Sequence, residues 1–258
     1  MRIALVSDIH GNLPALEAVV SHIKRQGVDL IVNLGDSLSG PLLPLETAQY
    51  LMSAGWLSLA GNHERQILTH SADQRSASDD YAYSQLGERE LVWLRSQQPT
   101  HQLLDDVFLC HGTPSNDSHY FLEHAIEGNT RPATEEEIEQ RLAGELSPVI
   151  ACGHTHIARA IRSKNSQLLC NPGSVGLPAY DDNHPIDHVV ETGTPDARYA
   201  IIEHRDSHWH VGLFTVPYNF ELVAQLAELR NRPEWAHALR TGYIQSPNRH
   251  LSKFHIRN

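Results

Sequence analysis

Residues 3–7 (IALVS) form a continuous apolar run, the pattern of a strand buried on both faces. Asn12 follows as an N-cap, with Pro14 in the first turn, and Leu13, Leu16, Val19, Val20 and Ile23 recur at helical spacing until Gly27 stops the helix. Leu30–Val32 reads as a second strand, 44–54 as a helix closed by Gly55, and 56–60 as a third strand. The alternation predicts parallel βαβ units. Residues 63–98 read as helical with a polar break at 71–80. Strands are predicted at 107–110, 149–152, 157–162, 167–170, 198–204 and 209–215, the last two joined as a hairpin around Arg205-Asp206-Ser207. Thr134 and Glu137 form a capping box for an acidic helix over 134–143, and helices over 219–231 and 233–241 close the pattern. Two segments, 112–133 and 172–196, read as long loops, which in a compact domain are usually functional or disordered. Periodicity fades after residue 242, so 1–242 reads as one domain and 243–258 as a partly disordered tail.

Five predicted strands end in potential ligands. These are Asp8 and His10, Asp36, Asn62 and His63, His111, and His154 and His156. In α/β sheets, sites gather beyond the carboxyl ends of strands, so these residues are expected to converge.

Composition sharpens this picture. There are 258 residues and 18 histidines, against 20 Lys and Arg together. Half-protonated histidines near pH 6.5 would move the net charge of −11 to roughly −2, so a pH-sensitive surface and a metal protein both fit. The acidic balance disfavours long nucleic acid and anionic membranes as partners. Three cysteines without a C-x-x-C pair argue against a disulfide framework or zinc knuckle and read as small buried hydrophobes. No apolar run is long enough to span a membrane, and the N-terminus reads as a strand rather than a signal peptide, so a cytoplasmic protein is expected.

Two Asp, one Asn and four His make a mixed N/O donor set without sulfur. It suits manganese, iron, nickel, cobalt or zinc, and is too rich in nitrogen for calcium or magnesium. Seven donors exceed one four-coordinate ion and suffice for two if a carboxylate bridges. Such a pair clamps the entering and leaving oxygens of an in-line displacement and attracts an anionic substrate.

Asp8-Ile9-His10, Gly35-Asp36, Gly61-Asn62-His63-Glu64 and Gly153-His154-Thr155-His156 resemble, in order and spacing, the signature of the calcineurin-like metallophosphoesterases. Asn171-Pro172-Gly173-Ser174-Val175-Gly176 is similar to the small bacterial and archaeal branch of that superfamily. The resemblance implies an αββα sandwich of two facing mixed sheets flanked by helices. It implies one divalent ion, manganese first, on Asp8, His10, Asp36 and His156. A second would sit on Asp36, Asn62, His111 and His154, with Asp36 bridging. His63 would face the substrate as the catalytic residue, and a dimetal-bridging hydroxide would attack.

Arg65 and Tyr180 are candidate substrate contacts, and Asp181, His184 and His188 candidate pocket residues. That branch often carries an Arg soon after Gly-Ser-Val-Gly, and Leu177–Tyr180 has none. His208 and His210 share a strand face and read as exposed. The expected function is hydrolysis of small phosphodiesters or nucleotides. A protein phosphatase or dinucleoside polyphosphate hydrolase is the alternative within enzymes, and a scaffold on the same fold the alternative outside them. The sequence carries no sign of oligomeric state.

Overall fold

A computed structural model describes residues 1–245. The expected tail beyond Gln245 therefore lies outside the described residues. The order of elements is β1 (Arg2–Val6), α1 (Leu13–Lys24), β2 (Leu30–Asn33), α2 (Pro44–Ala54), β3 (Leu57–Ser58), α3 (Asn62–Thr69), α4 (Ala77–Gln85), α5 (Glu88–Arg95), β4 (Thr100–Leu103) and β5 (Val107–Cys110). Then come β6 (Glu123–Ile126), β7 (Asn129–Pro132), α6 (Glu135–Leu142), β8 (Val149–Ala151), β9 (Arg159–Arg162) and β10 (Leu168–Asn171). The described chain closes with β11 (Ala179–Asp182), β12 (His188–Glu191), β13 (Ala197–Arg205), β14 (His208–Val216), α7 (Phe220–Leu229) and α8 (Pro233–Thr241).

Two five-stranded mixed sheets face each other, ordered β14-β13-β1-β2-β3 and β4-β5-β8-β10-β9. β1, β2 and β3 are parallel, as are β5, β8 and β10, while the β1–β13, β13–β14, β4–β5 and β9–β10 pairings are antiparallel. The fold is the αββα sandwich. β1 shows why its run is apolar throughout. Ile3 and Leu5 point into the inter-sheet core with Val107, Leu109, Val149 and Leu168, while Ala4 and Val6 pack under α1 against Leu16, Val19 and Ile23. The three cysteines are buried and free, and lie within the apolar clusters. Asn12 caps α1 through Ala15 N at 3.2 Å.

Several boundaries move. The third strand shrinks to two residues, and Leu59 adds only an isolated bridge to Gln98. The helical stretch after it divides into α3, α4 and α5, and α4 begins inside the polar break because Ser76 caps it by accepting from Asp79 N at 3.1 Å. Both long loops contain hairpins, β6–β7 and β11–β12, bridged by Gly128 N to Asp187 O at 2.8 Å. The β13–β14 turn is as expected, with Asp206 (φ 52°) and Ser207 (φ 61°) both left-handed. Among the described residues no helix is long and apolar enough to cross a membrane.

Candidate metal centre

The first sheet delivers Asp8, His10, Asp36, Asn62 and His63 beyond the carboxyl ends of its parallel strands, and the second delivers His111, His154 and His156. Post-strand turns are laced side by side. Asp8 N donates to Gly35 O at 3.0 Å, His10 N to Asp36 O at 3.1 Å and Gly153 N to His111 O at 2.7 Å. His154 N crosses between the sheets to Asp8 Oδ2 at 3.2 Å. Five of the seven expected ligands adopt left-handed backbone: Asp8 (φ 55°), His10 (51°), Asp36 (54°), His154 (70°) and His156 (57°). Each such residue costs on the order of 1–2 kcal/mol. Strain gathered at one place in this way marks a functional site.

The donor atoms fall into two groups, Asp8–His10–His156 and Asp36–His111–His154, each within 4.8 Å of one another. Asn62 Oδ1 joins the second at 3.2 Å from His111 Nε2. The groups adjoin, since His111 Nε2 lies 2.9 Å from Asp36 Oδ2 and 3.9 Å from Asp8 Oδ1.

Hydrogen bonds fix which ring nitrogens face inward. The Nδ1 atoms of His10, His111 and His156 meet the carbonyls of Ser39, Leu34 and Leu177 at 2.8, 2.9 and 2.7 Å. A carbonyl can only accept, so each Nδ1 carries the hydrogen and a neutral ring turns an Nε2 lone pair to the site. His154 is reversed. Its Nε2 donates to Ser118 O at 3.1 Å, which leaves Nδ1 for the site. Consequently His10 Nε2 and His156 Nε2 face each other as lone pairs at 3.1 Å. Asp8 Oδ1 beside them is buried without a hydrogen-bond partner. With Asp8 Oδ1 also 3.3 Å from His156 Nε2, two lone pairs and a carboxylate oxygen converge on one point, a donor set that fits a divalent metal.

The electrostatics agree with that fit at His10 and His154, whereas the carboxylates favour a proton on His111 Nε2, 2.9 Å from Asp36 Oδ2, which a metal there would displace. Burial raises the Asp8 carboxyl, but His156 and His111 outweigh it and bring its pKa to about 2. Asp36 is held well below the carboxylate range, where His111 and His63 overcome the opposing effect of burial. Burial and neighbouring imidazoles push His10 down to about 3 and His154 down to about 4, so both rings are neutral at pH 7. His111 goes the other way. Burial opposes its charge, but Asp36 and Asp8 lift it to about 10.

His63 opens α3 and lines the cleft. Its Nδ1 donates to Asp79 Oδ1 at 2.8 Å, and its backbone N to Asp36 Oδ1 at 3.0 Å. Burial lowers its pKa, but Asp36 and then Asp79 more than compensate, raising it to about 9. Asp79 is itself buried and accepts from Ser76 Oγ at 2.7 Å. Sequence reasoning missed Asp79. The Ser76-x-x-Asp79 pattern signals a helix start but not what the carboxylate faces.

Behind the candidate ligands, Glu64 accepts from Asp36 N, Ser37 N and Gly61 N at 2.8, 2.8 and 2.9 Å, which ties the Asp36 turn to α3. A Cβ at Gly61 would stand 2.3 Å from Asp36 Oδ1, and one at Gly153 2.0 Å from Ser7 Oγ, so neither position admits a side chain. Thr155 and Asn171 brace the Gly153–His156 turn. Asn171 Nδ2 donates to Gly153 O at 2.6 Å and to Thr155 Oγ1 at 3.0 Å, and Thr155 Oγ1 donates to the buried Glu123 at 2.9 Å.

A cavity of about 500 Å³ opens onto His10, Asp36, Asn62, His63, His154 and His156. Leu177, Ala179, Tyr180, Trp235, Ala238 and Ile244 form its apolar wall, and Asp181, Asp182, Arg232 and Glu234 also line it. Tyr180 packs on His156 with ring centroids 4.7 Å apart and bonds Tyr120 Oη at 2.7 Å; Tyr120 in turn reaches His188 Nε2 at 2.8 Å. His188 is buried in this chain of contacts, whereas His184 is exposed. Arg65 does not line the cavity and pairs with Asp117. His204, His208 and His210 are exposed on β13 and β14.

Residues 1–194 match the family model of the calcineurin-like phosphoesterase superfamily domain. Over 252 residues the chain is 25% identical to an uncharacterized protein of Methanocaldococcus jannaschii, covering 90% of this chain and 94% of that one. Its fold is similar to a metallophosphoesterase from Sphaerobacter thermophilus, with TM-score 0.72 and 25% identity over 94% of this chain and 99% of that one. It is similar also to a hypothetical protein of Pyrococcus horikoshii, with TM-score 0.71 and 17% identity over 93% and 98% of the two chains, a likeness of fold alone.

Proposed function

The chain belongs to the calcineurin-like phosphoesterase superfamily, and from that premise we propose that it is a metal-dependent hydrolase of small phosphodiesters or nucleotides. The observation that carries this reading is the pair of donor groups meeting beside His63 at the floor of one cleft. Asp8, His10, Asp36 and His156 would hold one divalent ion, and Asp36, Asn62, His111 and His154 the other. Manganese is the first choice for this sulfur-free set. Such ions supply Lewis-acid charge and an activated water for in-line displacement. The chain's own residues do the rest. With Nδ1–H committed to Asp79, His63 turns Nε2 to the substrate, where a proton on that nitrogen stabilises phosphoryl charge or passes to the leaving oxygen.

The cavity favours a diester over a monoester. Its volume of about 500 Å³ suits a small molecule. The apolar wall from Leu177 to Ile244 can seat a second ester group, with Tyr180 as a contact. Among the described residues Arg232 is the one lysine or arginine lining it, and it is already paired with Glu234 at 2.5 Å, so a monoester dianion gains little there. Asp181, Asp182 and Glu234 disfavour polyphosphates, and the net charge of −11 disfavours nucleic acid. The complete donor set weighs against a purely scaffolding role. We place the protein in the cytoplasm, acting on a small anionic ester.

The test compares bis-p-nitrophenyl phosphate with p-nitrophenyl phosphate in Mn²⁺. Diester turnover is expected to dominate and to collapse in His63→Ala with metal content intact. A preference for the monoester overturns the diester assignment, and turnover unaffected by His63→Ala removes His63 from the reaction.

A further inference from the structure

Arg65 stands three residues after Asn62 on α3. Its guanidinium grips Asp117 with two prongs, Nε to Oδ2 at 2.6 Å and Nη2 to Oδ1 at 2.8 Å, and Nη2 also reaches Ser118 Oγ at 3.1 Å. Arg65 borders a separate hollow that it shares with His111 and Asn116. Asp117 and Ser118 lie on the loop that leaves β5 at His111. That loop is folded tightly on itself. Thr113 N donates to Asn116 O at 2.8 Å, Ser118 N to Asn116 Oδ1 at 2.8 Å and Ser118 Oγ to Asp117 Oδ1 at 2.8 Å. Its far end presents the Ser118 carbonyl that accepts from His154 Nε2 and fixes that ring's tautomer.

We propose that the Arg65–Asp117 pair is a clamp that positions His154, and through it sets the affinity of the Asp36–Asn62–His111–His154 site for its divalent ion. The proposal rests on reading the two donor groups as ion sites. Three observations single out this group. First, the clamp joins the helix carrying Asn62, the loop that starts at His111 and the carbonyl that holds His154. Second, His154 is the one residue of the two donor groups that is not fully buried, so packing alone holds it least. Third, the rings of the other group lean on the carbonyls of Ser39 and Leu177, which the clamp does not touch.

An exposed ion pair adds little to stability by itself. Here its two-pronged geometry matters more than its energy, and a lysine cannot reproduce that geometry. Loss of a group that orients a metal-ligating histidine typically weakens metal binding about 10- to 100-fold.

The experiment is a calorimetric Mn²⁺ titration of the chelator-stripped full chain, with wild type, Arg65→Ala, Arg65→Lys, Asp117→Asn and the Arg65→Ala/Asp117→Asn double variant. Melting temperatures are recorded in EDTA alongside. Wild type is expected to take up two ions. Each single variant should weaken one of the two steps at least tenfold and leave the other unchanged. The double variant should be no worse than either single, and melting in EDTA should not move. Wild-type binding at both steps in the single variants, with a raised KM for substrate, overturns the clamp and makes Arg65 a substrate contact. An equal weakening of both steps with a lower melting temperature in EDTA overturns it in favour of a general structural role. Wild type that takes up no ion overturns the ion-site reading itself, a result distinct from the other two.

Discussion

At the scale of single residues, the site depends on groups that never touch a ligand. Asp79 is the clearest. It fixes the His63 tautomer through Nδ1 and is held in turn by Ser76. Asp79→Asn retains the volume but can present its amide NH₂ to the ring, which favours the wrong tautomer. We expect kcat to fall about 100-fold, with KM and bound metal unchanged; steady-state kinetics beside elemental analysis would check this. Gly61 acts through space it does not fill. Gly61→Ala would drive a methyl into Asp36 Oδ1, 2.3 Å away, and move the one carboxylate that both ion sites are expected to share. The variant should keep its far-ultraviolet dichroism and lose both ions, and elemental analysis showing two retained ions would contradict that.

At the scale of elements, the reach of sequence reasoning follows the range of the forces involved. β1 and α1 were legible because burial on two faces and on one face leave different periods. The convergence of the candidate donors was legible because strand ends in α/β sheets are where polar groups gather. The β6–β7 and β11–β12 hairpins were not, because Glu123–Ile126 and Ala179–Asp182 do not alternate cleanly between apolar and polar, and each hairpin is propped on the other. Asp79, Tyr120 and Ser118 were missed for the same reason, since their partners lie 16, 60 and 36 residues away. The α6 capping box, by contrast, is local and was read correctly. Thr134 N donates to Glu137 Oε2 at 2.7 Å, and Arg131 from β7 holds the same carboxylate at 2.7 and 2.8 Å. Arg131 and the Thr134 amide bring the Glu137 pKa down to about 2. A depressed folded-state pKa contributes stability above the unfolded value of about 4.5 and loses it as pH falls toward 2. Glu137→Gln should therefore melt on the order of 2 °C below wild type at pH 7, with the gap closing below pH 4.5. Parallel melting curves across that range would refute the linkage.

At the scale of the molecule, the two candidate donor groups draw on both sheets. Asp8, His10, Asp36 and Asn62 come from the first sheet, and His111, His154 and His156 from the second, while the apolar core between them lies along the strands rather than at their ends. At the carboxyl edge the sheets are joined by polar contacts such as His154 N to Asp8 Oδ2, and by facing lone pairs that repel without a cation. An ion that binds only the folded chain stabilises it by about 2.7 kcal/mol at 100 times its dissociation constant. Chelation should thus lower the melting temperature by several degrees, and Mn²⁺ should restore it. The loss should also be local. In hydrogen exchange, the amides of Asp8, His10, Gly153 and His154, whose bonds lace the turns around the ligands, should lose protection on chelation. Those of α7, whose Val223, Ala224 and Ala227 pack in an apolar cluster with α8 and do not line the site cavity, should not. Uniform deprotection would instead place the ions' stabilising effect in the whole fold, and no change would mean that the apolar core alone holds the sheets in register.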